Sequence, residues 1–188
     1  VAVVKAVVDQ TKGRVPVYAG ANASDTRGAV ELSRCYMESG ADGCVLSAPY
    51  YFPYPQPVIL QGLQNAVRQM PLPVVLYNIP KYAGEITLDS LRVLMREKNV
   101  VGVKDSSGSV AELLRLLALR DEVRHDFTVF VGWEEMLFSA IELGAQGCMT
   151  ASSGIFPEIM RAIAEDTWAG RFERARRLQR IIAEATET

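Results

Sequence analysis

The 188-residue sequence predicts an α/β fold in which short parallel strands alternate with helices. Three observations predict it. Six short runs rich in β-branched residues begin at positions 15, 43, 74, 100, 128 and 147. A stretch with helical spacing follows each of them. The composition, 49% hydrophobic and 22% charged, suits one globular unit rather than a disordered chain or a coiled coil.

The elements follow in order. Val1, Val3, Val4, Val7 and Val8 keep helical spacing and Gly13 is a stop, so the chain opens inside an amphipathic helix. That helix has no N-cap and no initiator Met, which reads as a segment of something longer. Strands are expected at 15–19, 43–47, 74–78, 100–104, 128–131 and 147–151. Helices are expected at 25–39, 57–69, 87–97, 109–120, 134–143 and 157–165, with a last one at 170–186. Thr87 is suited to cap a helix entry and Pro157 to a first helical position. An internal echo supports the alternation. Glu38-Ser39-Gly40-Ala41-Asp42-Gly43-Cys44 resembles Glu142-Leu143-Gly144-Ala145-Gln146-Gly147-Cys148, each a helix end, a glycine turn and a strand start. The other reading is chance similarity between two glycine turns.

Strand–helix alternation allows two architectures. A (β/α)8 TIM barrel has eight units in about 250 residues. Six strands in 188 residues then imply that about the first two β/α units are missing. On this reading 1–188 is a single domain, with barrel units over 1–165 and a C-terminal helical extension over 166–188. An open doubly wound sheet is the alternative. It favours a Gly-rich loop after the first strand, where this chain has Ala19-Gly20-Ala21-Asn22-Ala23-Ser24 without GxGxxG. Without the missing units, the strands at 15–19 and 147–151 become open edges. These 188 residues alone are therefore expected to associate or aggregate and to turn over little substrate.

Composition removes several function classes. Twenty basic against 22 acidic residues leave no positive excess for a nucleic-acid backbone. No apolar run is long enough for a membrane helix, and no segment has signal-peptide architecture. Cys35, Cys44 and Cys148 are scattered, as reduced thiols of a cytoplasmic protein would be. The single histidine, His125, sits in a charged, loop-like stretch, so neither a metal site nor a Ser-His-Asp triad is expected.

Catalytic groups of β/α folds lie at the C-terminal ends of strands. The fourth strand end reads Val100-Val101-Gly102-Val103-Lys104-Asp105-Ser106-Ser107-Gly108. Alternation turns Val101 and Val103 one way, Gly102 and Lys104 the other. In a barrel this puts Lys104 inside. Burial disfavours a charged amine, and a neutral amine is what Schiff-base chemistry with a carbonyl requires. The bland reading is a lysine that reaches solvent or pairs with Asp105. Tyr77 ends the neighbouring strand, about 4.8 Å away, where its phenol can pass protons to and from the amine. After the second strand, Pro49-Tyr50-Tyr51-Phe52-Pro53-Tyr54-Pro55 forms a stiff aromatic loop.

Tyr77-Asn78-Ile79-Pro80, followed by Gly102-Val103-Lys104-Asp105-Ser106-Ser107-Gly108, resembles the dihydrodipicolinate synthase/N-acetylneuraminate lyase family. Pro16-Val17-Tyr18-Ala19-Gly20 and Pro49-Tyr50-Tyr51 fit the same pattern. The resemblance implies a class I aldolase barrel that needs no cofactor and works as a homo-oligomer, a dimer or tetramer. It implies that Lys104 forms a Schiff base with pyruvate or a related 2-oxo acid and that Tyr77 relays protons. Tyr51 matches a relay tyrosine that enters from a neighbouring subunit. Gly132-Trp133-Glu134-Glu135 is similar to a segment of the lyase branch that contacts sugar hydroxyls, which puts Gly132, Glu134 and Glu135 among the substrate-binding candidates. Ser106 and Met149 join them through the same resemblance. The other reading of Glu134 and Glu135 is that they open the next helix.

Two departures narrow the expectation. A Gly-Thr-Thr-Gly-Glu-like segment, which supplies the family's relay threonine, is absent from these residues. Tyr82 stands where the synthase branch has an arginine for the aldehyde's carboxylate, and a phenol lacks that cationic fork. The expected activity is therefore a lyase or aldolase acting on a hydroxylated 2-keto-3-deoxy sugar acid, with pyruvate and an aldehyde as its small-molecule partners. Dihydrodipicolinate synthesis is the alternative within the family. A non-catalytic, barrel-derived binding protein is the alternative outside it.

Overall fold

The computed structural model describes residues 1–186. The last two residues of the expected C-terminal segment, 187–188, lie outside the described residues. Six parallel strands form one sheet in sequential order, β1 through β6. They are β1 (Tyr18–Gly20), β2 (Gly43–Ser47), β3 (Val74–Asn78), β4 (Val100–Asp105), β5 (Thr128–Val131) and β6 (Gly147–Cys148). A helix α1 (Ala2–Thr11) precedes them, and α2 (Thr26–Glu38), α3 (Gln56–Gln69), α4 (Leu88–Leu94), α5 (Val110–Val123) and α6 (Leu137–Glu142) make the crossovers. After β6 come α7 (Pro157–Trp168) and α8 (Phe172–Thr186). No strand reverses or changes order, so the doubly wound alternative is excluded. The sheet is six units of a (β/α)8 barrel, with β1 and β6 as its edges.

Local chemistry sets the element ends. Asp25 caps α2 by accepting from the Gly28 N–H at 2.8 Å. Thr87 caps α4 through Ser90 N, as expected, and Ser109 caps α5 through Glu112 N. Pro157 occupies the first turn of α7. The two echoed glycine turns are the same device four units apart. Gly40 (φ 86°) leads from α2 to β2, and Gly144 (φ 106°) leads from α6 to β6. Both have the left-handed backbone that a side chain opposes.

Two strands are shorter than expected. Residues 15–17 precede β1 because Pro16 has no N–H and the Val17 N–H goes to the Asp42 carboxylate at 2.7 Å rather than to a ladder. β6 ends at Cys148 because the chain then turns into a 3-10 segment, Ser152–Gly154. The expected helix at 134–143 begins as a 3-10 turn, Glu134–Met136, before α6.

The sheet's two faces differ. Cys44, Leu46, Val74, Leu76, Val100, Val103, Val129 and Val131 point toward the helices and form the main core. A second cluster of Leu137, Ile141, Met160, Ile163 and Ile182 joins α6, α7 and α8. The strict alternation expected for β4 fails at one residue. Val74 opposes Val100 and Val75 opposes Gly102, so Val101 is the extra residue of a bulge. Val100 and Val103, not Val101 and Val103, are the valines in the core. Gly102 and Lys104 stay on the opposite, concave face.

Candidate active site

The residues expected to carry the chemistry sit at the C-terminal ends of β3 and β4, where register sets them opposite one another. Tyr77 pairs with Lys104 across the ladder, and Asn78 pairs with Asp105. Alternation sends the first pair to the concave face and the second toward the helices. On the concave face, Lys104 Nζ lies 4.1 Å from the centroid of the Tyr77 ring. The amine therefore rests on the aromatic face, which attracts its charge.

Behind them is an anchor that the sequence did not reveal. Asn78 Nδ2 donates to the Asp105 carboxylate at 2.8 Å, and Asn78 Oδ1 accepts from Ile86 N at 3.0 Å. Ser107 Oγ donates to the other Asp105 oxygen at 2.7 Å. Asp105 is 4% exposed and its oxygens are engaged by these neighbours, so it is no ion-pair partner for Lys104. Among the described residues Lys104 makes no ion pair.

The end of β5 closes against Lys104 from the other side. Gly132 N donates to Asp105 O at 2.8 Å, and Trp133 Nε1 donates to Ser106 O at 3.0 Å. A Cβ on Gly132 would fall 1.8 Å from Ser106 Oγ and 2.9 Å from Lys104 Cε. Only glycine leaves room there for both side chains.

Tyr77 and Lys104 line an open cavity of about 600 Å³ on the concave face. Tyr18 and Val45 border it on one side, Met149 and Thr150 on the other. Of the residues expected at the site, Lys104, Tyr77 and Met149 line this cavity, while Gly132 sits between Ser106 and the lysine stem. Glu134 points to the loop after β6, where its Oε1 accepts from Ser152 N at 3.0 Å. Glu135 is exposed and accepts from Thr186 Oγ1 on α8 at 3.1 Å. Both belong to the 3-10 turn that leads into α6.

Tyr51 lies apart from the cavity. It is 86% exposed, has φ 82°, and packs edge-on to Phe52. With Lys81 and Tyr82 it borders a separate surface groove of about 250 Å³. His125 is a surface residue 3.9 Å from Asp121.

On the far wall of the cavity, sequence reasoning named only Met149. Thr150 Oγ1 and Ser153 Oγ are 2.8 Å apart, with Cys148 Sγ 3.8 Å from Thr150 Oγ1. Burial pushes the Cys148 thiol up from its ordinary range, against the weaker opposing effects of its hydroxyl neighbours and Lys104. The signal that finds these residues is the one that found Lys104, a polar group just past a strand end. Tyr18 also borders the cavity, its phenol pushed up by burial and then by Asp42.

With this geometry in view, similarity to known proteins is informative. The profile of the dihydrodipicolinate synthetase family matches residues 1–187. The 4-hydroxy-tetrahydrodipicolinate synthase of Acidithiobacillus ferrooxidans is 35% identical over 178 residues, 94% of this chain and 60% of that protein. That of Methanosphaerula palustris is 31% identical, over 89% of this chain and 58% of that protein. The chain thus spans about 60% of the length of these curated relatives. Among solved structures, a prophage protein of the dihydrodipicolinic acid synthase family from E. coli K12, in complex with pyruvate, superposes with a TM-score of 0.90 at 28% identity, covering 95% of this chain and 61% of that one. A 2-keto 3-deoxygluconate aldolase from Picrophilus torridus superposes with a TM-score of 0.88 at 26% identity, covering 99% of this chain and 66% of that one.

Proposed function

This chain belongs to the dihydrodipicolinate synthetase family, and on that premise we propose that it carries the Schiff-base half of a carbon–carbon lyase, with Lys104 as the nucleophile toward pyruvate or a related 2-oxo acid. The observation that carries the reading is the Lys104 amine resting on Tyr77 inside the concave cavity. Once its ammonium has given up a proton, the Lys104 amine adds to the ketone carbon and gives a carbinolamine, which loses water to leave an iminium. The Tyr77 phenol carries the protons of those steps. The iminium then accepts the electron pair of the C3–C4 bond as it breaks. An enamine forms, and the C4 hydroxyl gives up its proton as the aldehyde departs. Read backwards, the same steps make the bond.

Borohydride reduction in the presence of pyruvate tests the nucleophile. A stable adduct on Lys104, absent from Lys104→Ala, is expected by intact mass and peptide mapping. No adduct, or one that survives in the variant, overturns the reading.

Hydroxylated 2-keto-3-deoxy sugar acids are the substrate class we favour, since Tyr82 offers no cationic fork for an acidic aldehyde. Dihydrodipicolinate synthesis is the second reading, supported by the function that the curated relatives carry in their names. Values of kcat/KM for aspartate semialdehyde and for a polyhydroxylated substrate separate the two. The exposed Tyr50-Tyr51-Phe52 loop is the surface on which a second copy of the chain would pack. Residence in the cytoplasm belongs to the same proposal. No described helix is long and apolar enough to cross a membrane.

A further inference from the structure

We propose that Gln179 on α8 is a positioning residue for Lys104, clamping from outside the strand–helix units the turn after β5 on which the lysine stem rests. The inference rests on the reading of Lys104 as the Schiff-base nucleophile and adds the residue that holds its support still.

Sequence and packing single the residue out. Ala175, Leu178, Gln179 and Ile182 recur at helical spacing on one face of α8. Ala175 and Ile182 are buried, and Leu178 packs against the cluster of Leu137, Ile141, Met160 and Ile163. Gln179 is the polar member of this inward set, half-buried, where its amide needs partners. It finds them in backbone groups 41 and 45 residues away. Its Oε1 accepts from Phe138 N at 2.9 Å, and its Nε2 donates to Glu134 O at 2.9 Å. α6 begins without a side-chain cap of its own, and the first N–H groups of a helix have no partner inside it. Gln179 fills that place from another helix.

The clamped turn leads directly to the lysine. Met136 N donates to Trp133 O at 3.2 Å, which ties the 3-10 turn to the end of β5. Trp133 Nε1 donates to Ser106 O, and Gly132 N donates to Asp105 O. These bonds hold the two residues that follow Lys104 in the chain. Gly132 also lies so close to the lysine stem that an added Cβ would fall 2.9 Å from Lys104 Cε. A turn freed from Gln179 therefore shifts the surface that aims the amine, with Lys104 and Tyr77 themselves unaltered. Gln179 is not among the residues that line the cavity, so it acts through the turn alone.

Gln179→Met keeps the side chain's length and helix preference and removes both bonds. With saturating pyruvate, its borohydride trapping at Lys104 is expected to be about tenfold slower, with half-saturating pyruvate changed less than about twofold. Arg171→Ala is the control, because it loosens α8 at its other end by removing the 2.7 Å bond to Asp166. It is expected to lower Tm and leave the trapping rate alone. The chain's two tryptophans are Trp133 and the exposed Trp168, so Trp168→Phe leaves the Trp133 indole as a reporter of the turn. In that background Gln179→Met should red-shift the emission and open it to acrylamide quenching. Gln179→Glu supplies the rescue. Its carboxylate cannot donate to Glu134 O at neutral pH, but it regains a proton for that bond as pH falls toward the ordinary glutamate value of about 4.3. Its emission should therefore return in acid to that of the Gln179 protein at the same pH, and the emission of Gln179→Met should not. Trapping at the unaltered rate in Gln179→Met, an equal slowing in Arg171→Ala, or emission in Gln179→Glu that ignores pH would overturn the clamp while leaving the nucleophile in place. Absence of the adduct from the unaltered protein would overturn both.

Discussion

Gly132 is the position where a single methyl group should do most harm to the site. Its added Cβ would meet Ser106 Oγ at 1.8 Å, Ser106 Cβ at 3.0 Å and Lys104 Cε at 2.9 Å. The first contact lies far inside any van der Waals separation, so Ser106 or the β5 end must move. Ser106 is buried, and its carbonyl is held by Trp133. Overpacking of this kind costs about 1–3 kcal/mol. For a chain of this size that lowers Tm by about 2–12 °C. The effect on chemistry should be larger in proportion, since displacing a reacting group by an ångström costs on the order of a hundredfold in rate. Gly132→Ala should therefore slow pyruvate–borohydride trapping at Lys104 by about that factor. Ser106→Ala in the same chain removes the oxygen of the closest contact and should recover most of both losses. A thermal melt and a trapping time course on the two single variants and the double variant make the cycle. Gly132→Ala that melts and traps like the unaltered protein, or a double variant no better than Gly132→Ala, would refute the steric account.

Two further predictions concern stability. Asn78→Ala strips the buried Asp105 carboxylate of a donor and Ile86 N of its acceptor, so the urea midpoint should fall by the equivalent of at least about 1–3 kcal/mol. An unchanged midpoint would show that water replaces both bonds. The Arg68–Glu97 pair, 2.6 Å apart, gives a pH signature. Its hydrogen bond holds the Glu97 carboxyl below the usual range, so its contribution is present above the unfolded value of about 4.3 and disappears as pH falls through the folded one. The stability gap between the unaltered protein and Arg68→Ala should be present at neutral pH and close in acid, and a gap that stays constant across urea titrations would rule the linkage out.

Much of the fold was legible because period-2 alternation and helical spacing are strong signals over six repeated units. The side of the sheet that Lys104 and Tyr77 occupy follows from those signals. The bulge at Val101 does not, since nothing in a run of valines marks which one the ladder will skip. The early end of β6 was hidden for a related reason. Met149 still donates to Val131 O, so the chain follows β5 for one more residue before the 3-10 turn at Ser152–Gly154. Glu134 illustrates the converse. Its acidic character at a helix start was readable, whereas its bond to Ser152 N, 18 residues along the chain, depends on tertiary structure alone.

The order of residues at these strand ends also explains how a lysine is kept in place on an open concave face. Each side chain proposed to act on the substrate is followed by a buried polar one, Tyr77 by Asn78 and Lys104 by Asp105. A slip of β3 and β4 together by one residue against the helices would exchange the two sets, because side chains alternate. It would drive the Lys104 amine into the Val–Leu core and bring the Asp105 carboxylate into the cavity. The hydrogen bonds among Asn78, Asp105, Ser107 and Ile86 would be lost in the same step. The penalty for burying an unpaired ammonium adds to the loss of those bonds. The register that serves the chemistry is therefore fixed from the helix side, by groups that never touch a substrate. For that reason changes at Asn78 should appear first as lost stability, whereas changes at Gly132 should appear first as lost reactivity of Lys104.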